Sequence, residues 1–109
     1  MTETFVEGAT VKIIEILKTA GVLQSLAGLI ITLELRDKTG HLTEYSTADL
    51  APKVGVEGDP LNGAVYFKPA ANDLLNSLSP YSVRWRLTDG AGDDDFWPQG
   101  SPVKWNIGI

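Results

Sequence analysis

From Tyr81 to Thr88 the chain alternates without a violation: Tyr81, Val83, Trp85 and Leu87 are separated by Ser82, Arg84, Arg86 and Thr88. A period of two puts successive side chains on opposite faces of a pleated strand, so this segment predicts a strand with one buried and one solvated face. Val103, Trp105, Ile107 and Ile109 alternate in the same way with Lys104, Asn106 and Gly108. So do Leu29, Ile31, Leu33 and Leu35 with Thr32, Glu34 and Arg36, Ile30 being the exception. Strands with one polar face are the material of antiparallel sheets.

Two further segments read as strands. Thr10–Leu17 is β-branched and apolar apart from Lys12 and Glu15, which suits a strand covered on both faces over part of its length, although periodicity also permits a helix here. Ala64–Lys68 is short and closes at Pro69, so it ends there or lies at an edge. Between the strands stand tight-turn residues: Asp37-Lys38-Thr39-Gly40, Asp59-Pro60-Leu61-Asn62-Gly63 and Asp89-Gly90-Ala91-Gly92. Turns at intervals of roughly 8 to 12 residues predict an all-β sandwich or barrel. Thr47–Leu50 and Ala70–Leu78 are candidates for single helical turns, the latter with Asn72 and Asp73 capping Leu74 and Leu75. At 109 residues, with no repeat or linker, one domain over 1–109 is expected. Residues 1–8, with Phe5 and Val6 beside Glu3 and Glu7, fit either an ordered strand or an arm reaching a neighbour.

Composition narrows the chemistry. Nine basic and fourteen acidic residues leave a net charge of −5, which argues against nucleic acid as a partner, since phosphate binding needs clustered Lys and Arg. With no cysteine there is no disulfide, thiolate nucleophile or zinc ribbon, and the lone His41 cannot build a histidine metal site. Met1-Thr2-Glu3-Thr4 lacks a basic n-region, so no secretory signal is expected; the apolar stretch Val22–Leu35, broken by Gln24, Ser25 and Glu34, is too short for a membrane span. Glu34 and Glu44 can be named as a carboxylate pair, but nothing in their spacing makes them converge. No serine has a nucleophile-elbow context, and Gly90, Gly92 and Gly100 lack the Lys-Ser or Lys-Thr of a phosphate loop. The expectation is a non-enzyme without catalytic residues, cofactor or bound metal. Asp93-Asp94-Asp95 reads as a solvated loop, a cation site being the alternative.

The interaction candidates are Phe96, Trp97, Arg84 and Arg86. Trp85 and Trp105 lie on apolar strand faces and are expected in the core, whereas Phe96-Trp97-Pro98 follows the acidic run in a loop or early strand, as an interface anchor or as a plug at the end of the sandwich. Arg84 and Arg86 project from one polar face and Arg36 from another; on neighbouring strands they form a basic stripe unless intramolecular carboxylates pair with them.

The order of the segments adds a resemblance. Val11–Ile16 leads to Val22-Leu23-Gln24-Ser25-Leu26-Ala27-Gly28 and a strand ending Leu35-Arg36-Asp37-Lys38-Thr39-Gly40; later come Gly63-Ala64-Val65-Tyr66-Phe67 and Leu78-Ser79-Pro80-Tyr81-Ser82-Val83-Arg84-Trp85, then a turn and a terminal strand. This resembles the immunoglobulin-like β-sandwich domains of tailed-bacteriophage virion proteins, notably the attachment domains of baseplate and tail-fibre proteins, over roughly residues 9–109. Ser79-Pro80 stands where that pattern has Pro-Gly or Leu-Gly, and the middle, 41–58, is longer. The resemblance implies an immunoglobulin-like antiparallel β-sandwich of about seven strands. It also implies a non-enzymatic structural component of the particle's tail, baseplate or head–tail region, assembled in the host cytoplasm and packed against other virion proteins or as a homo-oligomer. A capsid decoration protein, or a carbohydrate-binding module that stacks host glycans on Trp97, are the alternatives.

Overall fold

The computed structural model describes residues 2–109. They form β1 (Thr2–Val6), β2 (Ile13–Ile16), β3 (Lys18–Thr19), β4 (Val22–Leu23), β5 (Ile30–Arg36), β6 (Leu42–Ser46), β7 (Val54–Val56), β8 (Ala64–Phe67), β9 (Tyr81–Thr88), β10 (Asp94–Trp97) and β11 (Val103–Gly108). Single 3-10 turns occupy Pro60–Asn62 and Asn76–Leu78. The three perfectly or nearly alternating segments became β5, β9 and β11, which lie side by side in the larger sheet, ordered β1-β11-β9-β5-β6 with β10 also paired to β9. A smaller sheet, β2-β8-β7, covers its apolar face, and β3-β4 is a two-stranded hairpin. The architecture is an immunoglobulin-like β-sandwich.

It has more strands than the seven expected, for local reasons. Tyr81–Val83 pairs with β11 and Trp85–Thr88 with β10, so β10 and β11 share one flank of β9, separated by the segment Pro98–Pro102. The β3-β4 hairpin, Lys18-Thr19 and Val22-Leu23 joined by Ala20-Gly21, is too short to show a period. One pairing also departs from the antiparallel expectation: β1 runs parallel to β11, with Glu3 opposite Trp105 and Phe5 opposite Ile107. Residues 2–6 are therefore an ordered edge strand of this sandwich.

The turns follow the Asp and Gly chemistry. In the β5-β6 hairpin Asp37 Oδ1 accepts from the Thr39 and His41 N–H groups at 2.8 and 3.1 Å. In the β9-β10 hairpin Asp89 Oδ1 accepts from the Ala91 and Asp93 N–H groups at 2.9 and 3.0 Å. Each loop passes through a left-handed glycine, Gly40 or Gly92. The helical turns differ from expectation. Thr47–Leu50 is a turn without helix, while in Ala70–Leu78 only Asn76–Leu78 winds into a 3-10 turn. Asn72 and Asp73 do not cap Leu74 and Leu75, because Asp73 accepts instead from the Ala70 N–H and the Lys53 ammonium. The Leu75 N–H goes to the hydroxyl of Tyr81, 3.0 Å away. A tyrosine at the start of this strand bonding back to the preceding loop is the tyrosine corner of immunoglobulin-type sandwiches.

Trp85, Trp105 and Phe67 are the largest fully buried side chains. Phe67, from the smaller sheet, stacks at 6.2 Å on Trp105 and lies 5.0 Å from Tyr45, both from the larger sheet. Phe5 meets Trp105 edge-on at 5.2 Å. One aromatic chain thus runs from β1 through β11 and β8 to β6 and clamps the sheets together.

Gly63 joins the Pro60–Asn62 turn to β8 at φ +68°, and a Cβ there would lie 2.7 Å from the Leu17 carbonyl oxygen. Gly58 has a similar φ of +71° but open space around it. Gly58→Ala should therefore cost about 1–2 kcal/mol from the left-handed backbone alone. Gly63→Ala should cost clearly more, because the β2-β8 pairing must also shift; urea unfolding of the two variants measures the difference.

Candidate interaction surfaces

The outer face of the larger sheet is built by the polar half of the alternating strands. Register sets Glu34 of β5 opposite both Arg84 of β9 and Glu44 of β6, while Phe96 of β10 lies opposite Arg86. Three of the four interaction candidates, Arg84, Arg86 and Phe96, meet on this face. Arg86 bridges the two acids, its Nη1 at 2.9 Å from Glu34 and its Nη2 at 2.8 Å from Glu44. Arg84 reaches the other oxygen of Glu34 at 3.2 Å and lays its guanidinium over the Phe96 ring, 4.1 Å from the centroid. Glu34 and Thr32 are buried beneath these long side chains. The basic stripe is thus an ion-pair ladder. Arg36, the third member of the supposed stripe, donates to the Gly40 carbonyl at 2.8 Å. Glu34 and Glu44 do come together, contrary to their spacing in sequence, because β5 and β6 pair; an arginine lies between them, so they neutralise cations on an open sheet face.

Trp97 is separated from the other three. It stands opposite Trp85 and faces the sandwich interior, so neighbouring residues Phe96 and Trp97 fall on opposite faces of β10. Its ring packs half-buried against the core, and its Nε1 donates to the Lys18 carbonyl at 3.1 Å, tying β10 to β3. In the acidic run Asp94 accepts from the Thr88 hydroxyl at 2.6 Å and Asp95 from the Phe96 N–H at 3.0 Å. Among the described residues no cluster of three or more His, Cys, Asp or Glu side chains is placed to hold a metal ion. His41 is exposed in the β5-β6 turn. Asp37 there has its carboxyl held below the ordinary value, chiefly by the Thr39 hydroxyl and then by backbone N–H groups of His41 and Thr39.

A second surface lies at the open side of the sandwich, between β1 and β2. The smaller sheet ends at β2, whose side chains reverse the usual pattern: Ile14 and Ile16 are 52% and 54% exposed, whereas Glu15 between them is only 6% exposed. The bond from the Leu17 N–H to the Gly63 carbonyl fixes Ile13, Glu15 and Leu17 as the residues whose backbone groups face β8. By alternation the N–H and C=O groups of Ile14 and Ile16 face outward at the free edge. Tyr66 continues the apolar patch on the outer face, with the Lys12 ammonium 4.7 Å from its ring centroid. A groove of about 330 Å³ runs along this side, lined among others by Glu3, Phe5, Val11, Ile13 and Leu74.

Beside the groove the buried Glu15 lies next to the partly exposed Glu3. Glu15 Oε1 has no hydrogen-bond partner, while Trp105 Nε1 donates to Glu3 Oε2 at 2.9 Å. Burial first, and then the Glu3 carboxylate beside it, push the Glu15 carboxyl up from an ordinary 4.5 to about 7. The sequence carried one signal of this pair: a single acid centred in the apolar run Ile13–Leu17. Which face it occupied depended on pairing with β8.

No protein-family model matches the chain, and no curated protein matches it. Among the described residues no helix is long and apolar enough to cross a membrane.

The ladder makes a graded expectation. Arg86→Met removes the bridge between two acids and should lower stability by about 1–3 kcal/mol. Arg84→Met, at a more exposed position, should cost about 1 kcal/mol or less in chemical denaturation.

Proposed function

We propose that the protein is a non-enzymatic assembly module, a structural component of a tailed-bacteriophage particle in the tail, baseplate or head–tail region. The observation that carries the assembly reading is the edge of β2, where exposed Ile14 and Ile16 side chains coincide with outward-facing backbone N–H and C=O groups. Sandwiches ordinarily blunt such an edge with charge, proline or a bulge, because it is a template for pairing with another chain. Lys12 and Lys18 flank this one without interrupting it. The particle context rests on the resemblance carried by the Leu26-Ala27-Gly28 step and the Gly63–Phe67 strand. The inward turn of Trp97, bonded to a backbone carbonyl, favours assembly over a glycan-stacking role for that ring.

Static light scattering on the full chain and mass spectrometry of purified particles test the two halves. The native protein should form symmetric oligomers, and Ile14→Lys with Ile16→Lys should dissociate them by at least about tenfold, the loss of about 1.4 kcal/mol or more of association energy. A chain that stays monomeric at high concentration and is absent from particles would overturn the proposal.

A further inference from the structure

The Glu3–Glu15 pair joins three parts of the fold that are distant in sequence. Glu3 belongs to the N-terminal edge strand β1, Glu15 to the edge strand of the opposite sheet, and Trp105, which donates to Glu3, to β11. β1 is strand-paired at one edge alone, in parallel to β11, and its Phe5 packs edge-on against Trp105. On its other side lies the groove toward β2, which gives solvent a route to Glu3. We propose that β1 is a proton-controlled latch: it stays docked on β11 while Glu3 and Glu15 share one proton, and it detaches from the sandwich when both carry charge.

Two carboxylates in contact repel when both are ionised, and a proton between them turns the repulsion into a hydrogen bond. The polar groups that face Glu15 are the Glu3 carboxyl from β1 and the Trp105 indole from β11; its partner on β8 is Val65. No Lys, Arg or His forms an ion pair with Glu15 or Glu3 among the described residues, and Lys12, on the groove wall, is paired to Glu57 at 2.9 Å. The direction follows from linkage. A carboxyl raised from 4.5 to about 7 by folding binds more protons in the folded state, so its contribution is fully present below pH 4.5 and is lost as pH rises through about 7. Detachment relieves that loss first by opening the buried Glu15 to water and then by removing Glu3, and it uncovers the β11 edge from Lys104 to Gly108. The Glu7 carboxylate, which accepts from the Asn76 N–H at 3.0 Å, and the Glu7 N–H, which donates to Gly108, anchor the far end of β1, so release begins at its N-terminal half.

Hydrogen exchange of the full chain, expressed as protection factors so that the intrinsic pH dependence cancels, reads this directly. Between pH 5.5 and 8.5 the protection of β1 amides should fall about tenfold or more, while that of β5 and β9 is maintained. Glu15→Gln, which keeps the shape and cannot ionise, should flatten the profile. Glu3→Gln, at a partly exposed site that tolerates change better, should shrink the step. Constant β1 protection in the native chain, an equal fall in β9, or a step of native size in either variant would each overturn the latch.

Discussion

The Trp105 side chain is the point through which the rest of the sandwich is tied together. Its ring lies between Phe67 of the smaller sheet and Phe5 of the N-terminal strand, and its indole N–H is spent on Glu3. Without that ring, Phe67 would keep Tyr45 as an aromatic partner but lose the contact that reaches toward β1. A cysteine-free domain of this size has no covalent link between its sheets, so inter-sheet cohesion must come from area buried and from aromatic geometry. Three of the chain's aromatic side chains, Trp85, Trp105 and Phe67, are fully enclosed, and two of these belong to the long alternating strands.

Those strands are why the fold was readable. β9 and β11 alternate so cleanly that their inward faces could be assigned residue by residue, and every inward residue of β9 is buried. The acidic turns were equally legible, because Asp at the first position and Gly at the fourth build the same local bonds at Asp37 and Asp89 wherever they occur. What period two does not contain is partnership. That β1 would run parallel to β11 depends on contacts across nearly the whole chain, and that β10 and β11 would share one flank of β9 depends on where Pro98–Pro102 interrupts the pairing. Asp73 illustrates a smaller failure of the same kind: a capping residue by sequence, it is claimed by Lys53, which lies twenty residues earlier.

The surfaces were legible in the same proportion. Alternation places Arg84 and Arg86 on one polar face of β9, and pairing with carboxylates is one of the two arrangements open to them there. Which acids they would meet was decided by the β5-β6 and β5-β9 registers. Phe96 and Trp97, adjacent in sequence, looked like a unit only until a strand formed through them and sent one outward over Arg84 and the other inward toward the core. The burial of Glu15 is not legible in the sequence, for the converse reason. In a run where nearly every residue is apolar, alternation assigns no faces, and only the bond between Leu17 and Gly63 determines that the acid is the residue turned inside.

That choice of register concentrates two costs on four residues. β2 leaves two isoleucines half in water and takes a carboxyl out of it, whereas a slip by one position would bury Ile14 and Ile16 and expose Glu15. The slip would also expose Leu17, which is completely buried, and remove Ile13 from the core, so the apolar account of the two registers is close to even. What separates them is the acid. Burying it incurs a desolvation cost in every state in which it is charged, and the Glu3 carboxylate beside it adds to that cost. In the native register Glu15 meets Glu3 of β1, and Glu3 in turn accepts from Trp105. Edge strand, buried acid and N-terminal strand meet on the open side of the sandwich, opposite in character to the outer face of the larger sheet, where Arg84 and Arg86 are answered by Glu34 and Glu44.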